Sequence, residues 1–307
     1  MLIKFKKALL LICCIAVILS SVPLNGFVGL ELPEIHLPKM RLDLPALHLP
    51  DLSSLFASKA LAADATSDQI DAYTHDPRFA TGYEIASLID VSFQNGTVDW
   101  MAVAADGIEY AMIRIGYRGY GESGLIREDT RFETNIRDAQ AAGIKVGVYF
   151  NTQATNNTEA IEEADFVLQT LSGYDLQLPV AFQCEYAQAG ASGYTGRFYE
   201  ANLSKDETAD LCLAFCDRIV AGGYDAMIYS NPFMFNNHIS VTRIDACYPV
   251  WLAAYRTATN YDGNYIMWQY TSTGSVNGVR GNVDKSFYYI KQSVPDVTSG
   301  TCGTNLT

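Results

Sequence analysis

The sequence predicts an α/β fold, an irregular (β/α) barrel of the TIM-barrel kind, preceded by a signal or anchor segment and a Pro/Leu-rich stalk. Two observations carry that prediction. Short apolar runs of strand character alternate with amphipathic helical stretches over about 210 residues, the pattern of a parallel α/β fold. Polar or aromatic residues also recur at the ends of nearly every run: Asp90, Arg114, Tyr149, Glu185, Tyr229, Trp251 to Tyr255, Gln269 and Asp284. An open doubly wound sheet fits the alternation as well. Only a closed barrel brings all those ends to one mouth.

The amino terminus is read apart from the fold. Lys4, Lys6 and Lys7 precede an apolar run at 8–19, so residues 1–26 are expected to be a signal peptide, an uncleaved anchor being the alternative. Export makes the protein secreted or envelope-associated, and such an anchor would be its sole tie to a membrane. Residues 27–82 repeat a Leu-Pro theme (Leu32-Pro33, Leu37-Pro38, Leu44-Pro45, Leu49-Pro50) and then turn small and polar, reading as a stalk and linker. The barrel is expected at 83–292, with a tail at 293–307.

Within the barrel the first strand is expected at 85–91, ending in Asp90-Val91-Ser92, and the second at 109–115, containing Arg114. The stretch Gly119-Tyr120-Gly121-Glu122-Ser123-Gly124 matches a Gly-x-Gly-x-x-Gly pattern. It opens no apolar helix and is read as a loop rather than a dinucleotide site. Asp129 is the expected N-cap of a helix carrying Phe132, Ile136 and Ala139 and stopped at Gly143. A strand at 145–150 follows, then a helix at 158–171 with Ile161, Ala164, Leu168 and Leu171 on one face. The fourth strand lies in 178–186, where Gln183 and Glu185 share a face and Cys184 takes the other. Ser204 and Glu207 form a capping box for a helix bearing Leu211, Phe215 and Ile219. Strands at 226–229, 250–254 and 265–270 come next, and Val283-Asp284 is expected to end an eighth.

Composition excludes several functions. A net charge of −13 argues against nucleic acid as partner. Four scattered histidines lack metal-ligand spacing, so no metal and no cofactor is expected. Five cysteines beyond the signal region, with Cys212 and Cys216 at helical i, i+4 spacing, do not suggest a disulfide framework. A monomer is expected.

The order Asp90-Val91-Ser92, Val98-Asp99-Trp100, Arg114, then Asp129, Phe132, Asn135 and Gly143, then Gly147-x-Tyr149, Leu178-Pro179-Val180, Tyr229-Ser230, Trp251-Leu252-Ala253, Trp268-Gln269-Tyr270 and Val283-Asp284 resembles the glycoside hydrolase family 25 lysozymes. The resemblance covers roughly residues 83–291. It implies an acidic, aromatic-lined groove and hydrolysis of the β-1,4 bond between N-acetylmuramic acid and N-acetylglucosamine in bacterial peptidoglycan glycan strands. It further implies Glu185 as general acid, with Asp90 and Asp284 as anions in the mouth. Tyr149, Tyr229, Trp251, Tyr255, Gln269, Tyr270 and Arg114 are the candidate substrate contacts. One position departs from the pattern: Gln183 stands where the family has an aspartate. An amide can hold a substrate acetamido group but supplies no charge to an oxocarbenium-like transition state. Two readings follow, a muramidase slowed by Gln183 and a wall-glycan-binding protein that has lost turnover; a structural protein with a retired groove is a third.

Overall fold

Alternation along each strand decides the architecture. In the strand Lys145–Asn151, Val146, Val148 and Phe150 are buried in one apolar layer, while Tyr149 belongs to another on the opposite face. The computed structural model describes residues 70–188, 193–259 and 261–292. Its strands are β1 (Tyr83–Val91), β2 (Tyr110–Arg118), β3 (Ile126–Glu128), β4 (Lys145–Asn151), β5 (Val180–Gln183), β6 (Ala187–Gln188), β7 (Tyr194–Thr195), β8 (Ala226–Ser230), β9 (Val250–Ala253), β10 (Tyr265–Gly274) and β11 (Val283–Lys291).

The main sheet runs β1-β11-β10-β9-β8-β5-β4-β2, with β3 added outside β2, and the parallel pairing of β1 with β2 closes it into an eight-stranded barrel. Side chains at i and i+2 thus point into the lumen, and those between them pack outward under the helices. The lumen is filled by Leu88, Tyr110, Met112, Leu178, Ala181, Met227, Trp251 and Met267 among others. A larger outer layer, with Ile113, Val148, Phe182, Phe215 and Leu252, lies between strands and helices.

Seven of the eight barrel strands are parallel; β11 is antiparallel to both neighbours. Val283-Asp284 therefore begins the last strand instead of ending it. The connection from Gly274 to Val283 is too short for a crossover helix, so the chain turns back beside β10 as a hairpin does. Asp284 still reaches the mouth, through the strand's amino end, and stands in register with Asp90.

The helices expected from the sequence form, with one departure in a cap and one in a buried stripe. Asp99 accepts from Ala102 N–H ahead of the helix Trp100–Ala105, and Ser204 and Glu207 form the expected capping box ahead of Lys205–Ala221. Asp129, expected as the cap of Phe132–Ala141, does not cap it: the N-cap is Arg131, without a side-chain bond, and Asp129 is buried beneath Arg114. Its carboxylate is shared: Oδ2 accepts from Arg114 Nε and Phe93 N–H, and Oδ1 from Arg131 N–H, one residue short of the helix's first turn. On the helix Asn157–Thr170 the buried stripe is Ala160, Ala164, Val167 and Leu171, leaving Ile161 exposed. Glu163 on this helix is fully buried and accepts from Arg118 Nε at 2.7 Å, and burial pushes its pKa up to about 7. That pair, with the small Ala160 and Ala164, turns the helix by one position from the stripe predicted by apolarity alone.

Packing also extends the barrel towards the amino terminus. Tyr73 packs on Trp268, Tyr270 and Phe287, the His75 ring bonds the Tyr289 hydroxyl at 2.8 Å, and Phe79 stacks on Tyr289. The last part of the small, polar stretch 58–81 thus carries three ring anchors to the barrel, which its composition hid. The signal segment, stalk and tail lie outside the described residues. Among the described residues no helix is long and apolar enough to cross a membrane.

Gly147 shows how tight the lumen is: a Cβ there would lie 2.7 Å from Leu178 Cβ, Met112 Sδ and the Pro179 carbonyl. Two of those contacts cannot swing away. Gly147→Ala is expected to destabilise the fold by about 1–3 kcal/mol in a chemical denaturation series, through overpacking.

Candidate active site

Because the strands alternate, each barrel strand delivers at least one side chain to the layer above the apolar lumen, and β4 delivers two. Asp90, Arg114, Tyr149, Asn151, Gln183, Tyr229, Trp251, Gln269 and Asp284, together with Gln94, line a cavity of about 120 Å³. Glu185 follows β5 just beyond it, two residues past Gln183 and on the same face. Cys184, between them, belongs to the outer apolar layer.

Two acidic centres result. At the seam, Asp90 is buried and accepts from Gln269 Nε2 at 2.8 Å, with Asp284 in register on the adjacent strand. Burial drives both carboxyl pKa values up, Asp90 further because the charge of Asp284 adds to it. The pair therefore tends to hold a proton on Asp90, hydrogen-bonded to Asp284, which keeps the charge. Across the mouth, Glu185 is half-buried. Burial raises its pKa, and hydrogen bonds from Asn231 Nδ2 (2.6 Å) and Gln183 Nε2 (3.3 Å) only partly oppose this, while Asp284 adds a smaller upward push.

The supporting polar residues are held by one another. Gln269 Oε1 accepts from the hydroxyls of Tyr229 (2.8 Å) and Tyr255 (2.9 Å), which fixes its amide so that the nitrogen faces Asp90. Trp251 donates to Ser286 Oγ at 3.0 Å and meets Tyr149 and Tyr229 edge-on, so it forms the floor. Arg114 donates through Nε to Asp129 at 2.7 Å and lies 5.0 Å from the centre of the Phe93 ring. Three buried polar atoms at this cavity have no partner: Arg114 Nη2, Asn151 Oδ1 and Gln183 Oε1. An unpaired buried polar atom costs about 1–3 kcal/mol, a cost that a polar ligand can remove.

The structure brings together Asp90, Asp284, Gln183, Glu185, Arg114, Tyr149, Tyr229, Trp251, Tyr255 and Gln269. It does not bring Tyr270. That ring stacks on Phe287 and meets Tyr73 at a tilt on the outer face, since Gln269 takes the lumen side and its neighbour must take the other. Asn231, which bonds Glu185, was not anticipated. The same period-two rule applied past Tyr229 points to it, although β8 formally ends one residue earlier. Among the described residues no group of three or more His, Cys, Asp or Glu is placed to hold a metal ion.

The family model for glycosyl hydrolases family 25 matches residues 89–279 of this chain. The autolytic lysozyme of Clostridium acetobutylicum is 27% identical over 197 residues, which are 64% of this chain and 53% of that protein. The bacterial lysozyme from Streptomyces coelicolor superposes with a TM-score of 0.56 at 25% identity, covering 66% of this chain and 91% of that one. The modular autolysin LytC from Streptococcus pneumoniae, solved in complex with a synthetic peptidoglycan ligand, gives 0.57 at 25% identity, over 67% of this chain and 47% of that one. This chain thus spans about half the length of both autolysins.

The seam supplies a pH test. Both folded-state pKa values are raised, so the folded protein binds more protons than the unfolded chain, and stability falls as pH rises above the ordinary aspartate range. Asp284→Asn removes the like charge. Its melting temperature is expected to exceed that of the wild type at pH 7 and to match it near pH 3, in thermal melts at the two pH values.

Proposed function

The chain belongs to glycosyl hydrolases family 25, and from that premise we propose that it is an exported peptidoglycan hydrolase cleaving the β-1,4 bond between N-acetylmuramic acid and N-acetylglucosamine. The observation that carries this reading is the pairing of two unlike acidic centres in one mouth. Glu185 is biased toward its protonated form by burial, and the Asp90–Asp284 pair keeps a negative charge. Glu185 gives its proton to the glycosidic oxygen as the bond to the anomeric carbon breaks. Asp284 stabilises the positive charge that develops on the ring, with Asp90 and Gln269 holding it in place. Water adds at the anomeric carbon, and its proton restores Glu185.

Gln183 has a part of its own. Its Nε2 is engaged with Glu185, leaving Oε1 as a buried acceptor without a partner. The N–H of a 2-acetamido group is a donor of the right kind for it, and Arg114 Nη2 offers a donor in the same cavity. Gln183 is thus a positioning residue for the acetamido group, while the charge comes from the seam. Export is supported by the charged and apolar pattern of residues 4–19 and by a substrate that lies outside the cytoplasm.

The amide at 183 favours a second reading, a wall-glycan-binding protein without turnover. Reducing-end release from purified peptidoglycan separates the two. The wild type is expected to be active and Glu185→Gln to lose a factor of about 10²–10⁴, the usual contribution of a general acid. An inert wild type made active by Gln183→Asp would establish the binding protein instead.

A pH profile tests the acid itself. Asn231 donates to Glu185 and so favours its charged form. Asn231→Asp keeps the acceptor that caps the helix Pro232–Asn237 but replaces the donor by an anion, which raises the Glu185 pKa further. The alkaline limb of the rate profile is expected to move to higher pH; no movement would mean that another group is the acid.

A further inference from the structure

We propose that the aromatic cluster of Tyr194, Tyr199 and Phe233 is the platform for the sugar on the leaving-group side of the scissile bond, an inference that rests on the glycosidase reading of Glu185. Two chain segments hold the Glu185 carboxyl, and both continue into this cluster. Tyr186 is the next residue after Glu185, and its ring lies 5.6 Å from that of Tyr194 and 5.1 Å from that of Tyr199. Asn231, bonded to Glu185, stands two residues before Phe233, whose ring lies 5.5 Å from Tyr194 at an interplanar angle of 20°.

The direction follows from the chemistry. The ring that develops positive charge belongs beside the anionic cavity, where Asp90 and Asp284 are. A general acid stands at the oxygen between the two sugars, so the departing sugar lies on the acid's other flank. Glu185 is not among the cavity-lining residues, and its outward flank is Tyr186, Asn231 and the cluster beyond them. Tyr199 and Phe233 are each 42% exposed, a large apolar surface on a protein of net charge −13. Aromatic rings take the C–H face of a pyranose well, and His238, against both Tyr186 and Phe233, closes the cluster from behind. A neutral amino sugar is therefore the occupant, in preference to an acidic peptide stem, which the net negative charge disfavours.

The test uses the full chain carrying Glu185→Gln, so that binding is read without turnover, and titrates it calorimetrically with a tetrasaccharide fragment of peptidoglycan glycan. Phe233→Ala and Tyr199→Ala in that background are each expected to weaken binding about tenfold. Phe233→Tyr, and Met101→Ala as an exposed apolar control elsewhere, are expected to leave it within about twofold. Because both platform residues are surface side chains, each 42% exposed, circular dichroism is expected to show unchanged folding. Unchanged affinity in both alanine variants overturns the platform, as does failure of the Glu185→Gln parent to bind. Hydrolysis by the wild type is scored separately: weakened binding with no hydrolysis keeps the cluster as a glycan contact but refutes the enzyme and with it the leaving-group assignment, whereas hydrolysis with unchanged binding refutes the platform alone.

Discussion

The reversal of β11 puts Asp284 opposite Asp90 across a hydrogen-bonded seam, and the order of the mouth depends on that register. Burial and the neighbouring charge raise both carboxyl pKa values, Asp90 more, and so disfavour ionising the two together. Gln269 must then turn its nitrogen to Asp90, and its oxygen is left to take the hydroxyls of Tyr229 and Tyr255. Trp251 below reaches Ser286, two residues along the same reversed strand. The seam is thus both a closure of the barrel and the fixed point from which its polar layer is oriented.

Across the mouth Glu185 is tuned by a different balance. Burial raises the Glu185 pKa, and two amides, from Asn231 and Gln183, hold it back by donating to the charged form. An anion at position 183 would push in the same direction as burial. With glutamine there, desolvation alone carries most of the upward shift, so water exclusion by a bound glycan strengthens it. Position 183 therefore matters twice, once for the charge it does not supply and once for the proton it lets Glu185 release more readily.

Much of this was legible in the sequence. Period-two alternation placed Gln183 and Glu185 together with Cys184 behind them, while Arg114, Tyr149, Tyr229 and Gln269 were picked out only as polar or aromatic residues at the ends of apolar runs. The same rule, followed strictly, rejects Tyr270 and selects Asn231; strand-end aromaticity misled in the first case, and the end of the apolar run in the second. Strand direction was not legible, because alternation reads identically forwards and backwards, and only the short connection before Val283 hinted at a hairpin. The burial of Asp129 and Glu163 was hidden too. Asp129 lies on a polar stretch and Glu163 beside two other acidic residues of its helix, and the partner of each, Arg114 or Arg118, sits on β2 at a separation that no local pattern reads.

The consequence of an amide at 183 can be bounded by distance. At an effective dielectric of about 20, an anion about 4 Å from a developing unit charge stabilises it by about 4 kcal/mol, and one about 8 Å away by about 2. If Asp284 acts in place of a closer carboxylate, the difference is about 2 kcal/mol, roughly a thirtyfold loss in rate. That is smaller than the factor expected on removing the general acid. On the proposed reading, the charge that the seam retains on Asp284 is what would set the size of that loss.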